Sequence, residues 1–425
     1  MASTLNPRTT SYEFLGPLGA LFITLGVPLG TYLLFFGCSE ESGGCPPTVV
    51  PAHIFDGTWW KGLWDTQAAL LYLGWYSFCF LSWAIIPGAT AEGTTLRTGN
   101  KKQYKINAFS TFILALGLTL GNISLFGPQS FTFLHDKFLG FITASIIMAV
   151  VQAVACYAAS FRQGALLALG GNTGNHIYDF FIGRELNPSI GSFDVKTFNE
   201  LRPGLILWTL INISMVCSQA VRRGGFANVT DSLWLVVLFQ GAYVADSLYN
   251  EPDIFRQMDI TSDGFGFMLS VGDLVWVPFV YSLQARYLVF TPVELGAVRT
   301  AAIVLVNLVG LHIFRSSNTE KNEFRRGANP KNLKFFTTES GSKLLTSGWW
   351  GTCRHPNYLG DLLMSLAWSL PTGFRTPVTY FYVIYFAVLL VHRQRRDDEN
   401  CERKYGKDWK KYMELVPYRI FPYIY

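Results

Sequence analysis

The sequence predicts an all-α polytopic membrane protein of about ten transmembrane helices, closed by a C-terminal helical module rich in charge. Three observations predict it. Half of the 425 residues are hydrophobic and only 15% are charged, against about 25% in an average soluble chain. Apolar runs near or above the roughly 18 residues that span a bilayer recur from end to end. Lys and Arg gather in alternate connections, which records orientation across a membrane before any affinity for nucleic acid.

The elements follow in order. A first span covers residues 14–36, and a loop over 37–61 carries Pro46-Pro47 and Trp59-Trp60. The second span is 68–86, and the loop 88–105 holds Arg97, Lys101, Lys102 and Lys105. Spans three and four are 108–125 and 139–159, followed by a long polar segment, 161–202. Spans five and six are 204–221 and 233–248. The seventh, 264–290, is interrupted by Asp273, and the eighth is 293–314. A polar loop, 315–343, leads to two shorter apolar segments, inside 348–374 and at 379–390. The implied division is a short tail (1–13), a bundle of eight spans (14–314) and a C-terminal region (315–425).

The opening residues lack the charged region and cleavage site of a signal peptide, so the first span is expected to act as the address. Four Lys/Arg follow the second span and seven lie in the eighth loop. This bias places both termini in the cytosol, with Arg222-Arg223 and an acidic sixth loop running against it. Cys79, Cys156 and Cys217 lie in apolar runs and read as packing residues. Cys38 and Cys45 share one loop, which permits a disulfide if that loop is lumenal. No Cys/His spacing suits a metal, so no zinc is expected.

Three regions carry chemistry. In the last helix, Arg393, Asp397, Cys401 and Lys404 recur at helical spacing and are expected to share a face. The cations suit phosphate, and Asp397 suits an amide or ribose hydroxyl. A solvated basic tail beside headgroups is the plainer reading of such a run. The polar turn Arg354-His355-Pro356-Asn357-Tyr358 between apolar segments favours a lined cavity instead. Lys321 and Arg325, four residues apart, project together. Finally, Tyr243, Asp246, Tyr249, Glu251, Asp259, Asp263, Asp273 and Tyr281 lie in or beside spans. Acids there are costly, and such a cluster indicates a polar pocket. The run Gly170-Gly171-Asn172-Thr173-Gly174-Asn175 suggests a phosphate loop only superficially. It lacks the Gly-Lys-Ser/Thr ending and a preceding strand, so a re-entrant or interfacial loop is expected.

These stretches resemble the sterol reductase family, which includes the C14, C7 and C24 sterol reductases and the membrane part of the lamin B receptor. The resemblance rests on Gly348-Trp349-Trp350-Gly351, Arg354-His355-Pro356-Asn357-Tyr358-Leu359, Asp397-Asp398-Glu399, Cys401-Glu402-Arg403-Lys404-Tyr405-Gly406 and Val416-Pro417-Tyr418. It extends through Gly264-Phe265-Gly266-Phe267, Leu274-Val275-Trp276-Val277-Pro278-Phe279 and Arg202-Pro203-Gly204. The segment 177–188, IYDFFIGRELNP, is most similar to the C14 subgroup.

The resemblance implies an NADPH-dependent enzyme of the endoplasmic reticulum membrane that reduces the C14–C15 double bond of a sterol. It implies cofactor contacts at Lys321, Arg325, Leu345, Trp350, His355, Asn357, Tyr358, Arg393, Asp397, Cys401, Glu402, Arg403, Lys404, Tyr405 and Tyr412. The sterol pocket would open to the bilayer lipid, and Tyr243, Asp246, Glu251 and Asp273 are candidates for the proton donor. Two other readings stand beside it. Isoprenylcysteine carboxyl methyltransferases share the Arg-His-Pro turn but have fewer spans and a Glu-Glu pair where this chain has Asp397-Asp398. A non-catalytic sterol-binding protein is the second. Reduction at C7 or C24 also stays open, and nothing in the sequence sets an oligomeric state.

Overall fold

The computed structural model describes residues 5–40, 44–45 and 62–425. Most of the loop expected at 37–61, with Trp59-Trp60, and the first residues of the 1–13 tail lie outside them. Among the described residues, eight helices are long and apolar enough to cross a membrane. They are α1 (Gly16–Gly37), α2 (Thr66–Ile85), α3 (Ala108–Phe126), α4 (Phe138–Ala159), α5 (Val195–Arg223), α6 (Asp231–Tyr249), α7 (Phe267–Phe290) and α8 (Gly296–Arg325). Each falls on an expected span. The remaining two segments are helical but of another kind. α9 (Pro356–Ser369) has only 14 residues, about 21 Å at 1.5 Å per residue, short of a hydrocarbon core of about 30 Å. α10 (Phe381–Tyr405) is apolar in its first half and charged in its second, and α11 (Lys407–Leu415) follows it.

The chain forms two compact units, Met1–Pro292 and Val293–Tyr425. The sequence division at 314/315 therefore differs from the structure, in which α8 belongs to the C-terminal unit. The basic loop after this span marks a change of composition, whereas contacts already change before it.

In the first unit α5 and α7 form the centre, with 83% and 78% of their apolar windows buried, against at most 44% for its other spans. The outer helices keep Leu18, Phe22 and Leu25 on α1, and Leu70 and Leu73 on α2, exposed, as lipid-facing surfaces require. The centre is joined by polar contacts. Trp208 Nε1 and Asn212 Nδ2 of α5 donate to Gln240 Oε1 of α6 at 3.0 and 2.7 Å. Gln240 Nε2 donates to the Tyr281 carbonyl of α7 at 3.1 Å. Hydrogen bonds of this kind between helices hold them together where the hydrophobic effect does not separate helix from lipid. α7 is interrupted as its Asp273 suggested, by a π-helical stretch over Gly272–Val280 that also contains Pro278.

Three expected loops are more ordered than the sequence reading held. Residues 88–105 contain an antiparallel hairpin, β1 (Ala89–Thr95) and β2 (Lys101–Ile106). Its Lys102 pairs with buried Asp194, which caps α5 by accepting from Thr197 N at 2.8 Å. Within 161–202, the Asn172-Thr173-Gly174 turn wraps a carboxylate rather than a phosphate. Asp179 accepts from Thr173 N (2.9 Å), Thr173 Oγ1 (2.7 Å) and Gly174 N (2.9 Å). The same segment lies against the irregular backbone of 264–266 at Gly183, whose φ is +93°. A Cβ on Gly264 would stand 2.0 Å from the Gly183 carbonyl oxygen, so two glycines are needed for this approach. In the third, α8 runs eleven residues beyond the expected end at 314, because loss of apolarity ends a span without ending a helix. The sulfurs of Cys38 and Cys45 are joined.

Candidate functional site

In the second unit, α8 and α9 cross backbone to backbone where Gly310 meets Gly360; a Cβ on Gly360 would lie 2.7 Å from the Gly310 carbonyl oxygen. The polar end of α8 then organises the Trp349-Trp350 turn. Buried Glu320 accepts from Trp349 N at 2.9 Å, and Trp350 Nε1 donates to the Ser317 carbonyl at 2.8 Å. One turn on, Lys321 Nζ lies 3.7 Å above the centre of the Trp350 ring, a cation–π contact. A small hairpin, β3 (Phe335–Thr337) and β4 (Lys343–Leu345), adds the next wall. The Arg354-His355 turn is pinned to the closing segment, with Arg354 N donating to the Tyr418 carbonyl (2.9 Å) and His355 N to that of Arg419 (2.8 Å).

These elements and the charged half of α10 enclose a cleft of about 180 Å³. A second cavity of about 420 Å³ shares Phe324, Arg325 and Lys343 with it. Four cations, Lys321, Arg325, Lys343 and Arg354, line the first cleft against one carboxylate, Asp397. Arg354 is countered from behind by Asp398, at 3.3 Å. Burial, with Lys321 and Arg354 nearby, pushes the His355 imidazole down to about 3, so it is neutral at physiological pH. Its Nε2 stands 3.8 Å from Asp397 Oδ2, a polar contact between a neutral ring and a charge. Burial also pushes the Cys401 thiol up to about 12, which leaves it an uncharged wall group. Tyr405, Trp409 and Tyr412 supply an aromatic side, with ring centres of the last two 5.0 Å apart.

Of the residues singled out in the sequence, the cleft gathers Lys321, Arg325, Leu345, Trp350, His355, Asp397, Cys401, Tyr405 and Tyr412. Asn357, Tyr358, Arg393, Glu402, Arg403 and Lys404 are not among its lining residues. Asn357, in the first turn of α9, has its Oδ1 buried without a partner among the described residues, and the Tyr358 ring stacks on His355 at 4.7 Å. Glu402, Arg403 and Lys404 are exposed, with Lys404 Nζ 4.9 Å over the Tyr405 ring. The expected common face of Arg393, Asp397, Cys401 and Lys404 therefore divides. At 3.6 residues per turn each four-residue step advances about 40° and the three-residue step from Cys401 to Lys404 turns back about 60°, so Arg393 and Lys404 both fall to one side of the Asp397, Cys401 and Tyr405 line that faces the cleft. Sequence reasoning missed Phe324, Lys343, Leu344 and Trp409 as cleft residues, and it left Arg354, whose turn it read as lining a cavity, out of the cofactor contacts. Trp409 had a signal, since it follows Tyr405 by four and precedes Tyr412 by three.

The candidate acids of the first unit occupy different settings. Glu251, 1% exposed, accepts from Arg202 Nη2 at 3.0 Å and from Ala108 N, at the start of α3, at 2.8 Å. Burial raises its carboxyl and Arg202 opposes that rise. Arg202 also donates to Asn107 Oδ1 at 2.7 Å, so this pair joins α3, the kink in α5 and the segment after α6. Asp246 accepts from Asn250 Nδ2 at 3.3 Å. Tyr243 lies 6.3 Å from the Trp208 ring. Asp273 is hydrogen-bonded to Glu200, and its Oδ2 is buried without a partner among the described residues.

Comparison with known proteins bears on this arrangement. Residues 8–425 match the ergosterol biosynthesis ERG4/ERG24 family. The chain is 50% identical to the Delta(14)-sterol reductase erg24 of Schizosaccharomyces pombe, over 97% of both chains. It is 42% identical to the Delta(14)-sterol reductase ERG24 of Saccharomyces cerevisiae over the full length of both. It is 43% identical to the Delta(14)-sterol reductase LBR of Gallus gallus, over 97% of this chain and 64% of that one.

Proposed function

The chain belongs to the ergosterol biosynthesis ERG4/ERG24 family, and we propose that it is a membrane Δ14-sterol reductase that uses NADPH. The observation that carries the cofactor reading is the cleft with four cations against one carboxylate beside an aromatic wall. That donor set fits a phosphate-rich dinucleotide, since cations match its phosphates and ring faces match its bases. Arg354 Nε and Trp409 Nε1, buried donors without a partner among the described residues, also fit a ligand that brings acceptors. Lys321 and Arg325 would hold the 2′-phosphate that separates NADPH from NADH, and Asp397 would accept from an amide or ribose hydroxyl.

The chemistry follows from the substrate. An isolated trisubstituted alkene is not polarised, so a proton reaches C15 first and leaves a cation at C14. The cofactor, when bound, supplies the hydride that closes this cation. The protein must hold an acid, exclude water from the cation and fix the approach of the donor. Tyr243, Asp246, Glu251 and Asp273 remain the proton-donor candidates. Glu251 is the least suited, because Arg202 and the start of α3 already occupy its oxygens. The proposed setting is the endoplasmic reticulum membrane, with both termini cytosolic and the joined Cys38–Cys45 loop in the oxidising lumen.

Incubating the purified chain with NADPH and separate Δ14, Δ7 and Δ24 sterols tests this reading by mass spectrometry. Saturation of the Δ14 substrate is the expected result. Turnover of only the Δ7 or Δ24 sterol would move the chain to another activity.

A further inference from the structure

Two residues that line the cleft each carry a buried donor that no described residue satisfies. Arg354, 5% exposed, commits both terminal nitrogens. Nη1 donates to the carbonyls of Val416 (3.0 Å) and Pro417 (3.1 Å), and Nη2 to Asp398 Oδ2 (3.3 Å). Its Nε is buried and has no partner among the described residues. Trp409, also 5% exposed, stacks between Tyr405 and Tyr412, and its indole Nε1 is likewise buried without a partner among the described residues. Buried donors are nearly always satisfied in native proteins. These two come from separate elements, the 353–355 turn and α11, yet both residues line one cleft. Each is a donor that an acceptor oxygen would satisfy, and the shared cleft is strongly cationic.

We propose that Trp409 and Arg354 are binding residues of this cleft, donating from Nε1 and Nε to acceptor oxygens of a bound nucleotide's diphosphate. The inference rests on the reading of the cleft as a dinucleotide site and adds two residues to it. The diphosphate is the acceptor because Lys321 and Arg325 already answer the 2′-phosphate, and it is the other anionic group such a ligand carries. Asp398 acts behind this as a positioning residue, holding the Arg354 guanidinium in place.

The indole allows a clean test. Trp409→Phe removes the N–H and keeps an aromatic ring in the stack. In the purified full chain without nucleotide, its unfolding temperature should not fall by more than a degree or two, because no protein hydrogen bond is lost. Binding of NADPH and of NADH, read by titration calorimetry, should weaken by the same factor, about tenfold. Unchanged affinity for both would overturn the proposal while leaving the cleft reading intact. A loss confined to NADPH would overturn it too, by moving the acceptor to the 2′-phosphate. Failure of the unmodified chain to bind either nucleotide would overturn the cleft reading and the proposal with it. Should Trp409→Phe not fold, benzothienylalanine at position 409, which replaces the N–H by sulfur at nearly constant shape, gives the same readouts.

Discussion

Replacing Lys321 and Arg325 together by alanine is expected to weaken NADPH binding by well over tenfold and to leave NADH nearly unaffected. The two side chains leave the end of α8 one turn apart and both line the cleft. Hydrogen bonds to charged groups contribute roughly 1.5–3 kcal/mol each. Arg325 is exposed, so its share belongs at or below the lower end. Lys321 complicates the absolute affinity, because its ammonium also rests on the Trp350 ring. Loss of that contact acts on the chain before any nucleotide arrives and cannot distinguish NADPH from NADH. The ratio of the two dissociation constants, measured by calorimetry, is therefore the readout. Equal losses would move the 2′-phosphate elsewhere.

Arg202→Ala should be the most damaging single change in the first unit. It leaves Glu251, 1% exposed, with a charge answered only by backbone N–H groups. Breaking one side of a buried ion pair typically costs about 3–5 kcal/mol, whereas replacing both sides by apolar groups is often neutral. Arg202→Ala should therefore lower the unfolding temperature in detergent sharply. The double variant Arg202→Met with Glu251→Leu should recover much of the loss. A single variant as stable as the unmodified chain would show that the pair does not join α3, α5 and the segment after α6. Sterol reduction by a folded double variant would also remove Glu251 from the proton-donor candidates.

The spans were legible because a bilayer demands long apolar runs, and each of the eight long helices announces itself that way. What the sequence concealed depends on contacts distant along the chain. The basic residues of 88–105 read as orientation signals, yet Lys102 is spent on Asp194, ninety-two residues away. Lys321 and Arg325 were visible as a pair through their spacing, and the family resemblance pointed to them as cofactor contacts. Lys343 was not, because a three-residue strand has no period to read. Arg354 stood in a recognised motif, but its burial depends on Asp398, Val416 and Pro417, which only the folded chain brings to it. The stripe from Arg393 to Lys404 was over-read, since only its middle members, Asp397 and Cys401, line the cleft.

Isotopic labelling of the product tests the central claim most directly. The purified chain is given a Δ14 sterol and NADPH deuterated at the transferable nicotinamide position, and in a second reaction unlabelled NADPH in D₂O. The account predicts one deuterium at C14 in the first product and one at C15 in the second. A saturated product with the labels exchanged, or labels at neither carbon, would contradict protonation followed by hydride transfer at this bond.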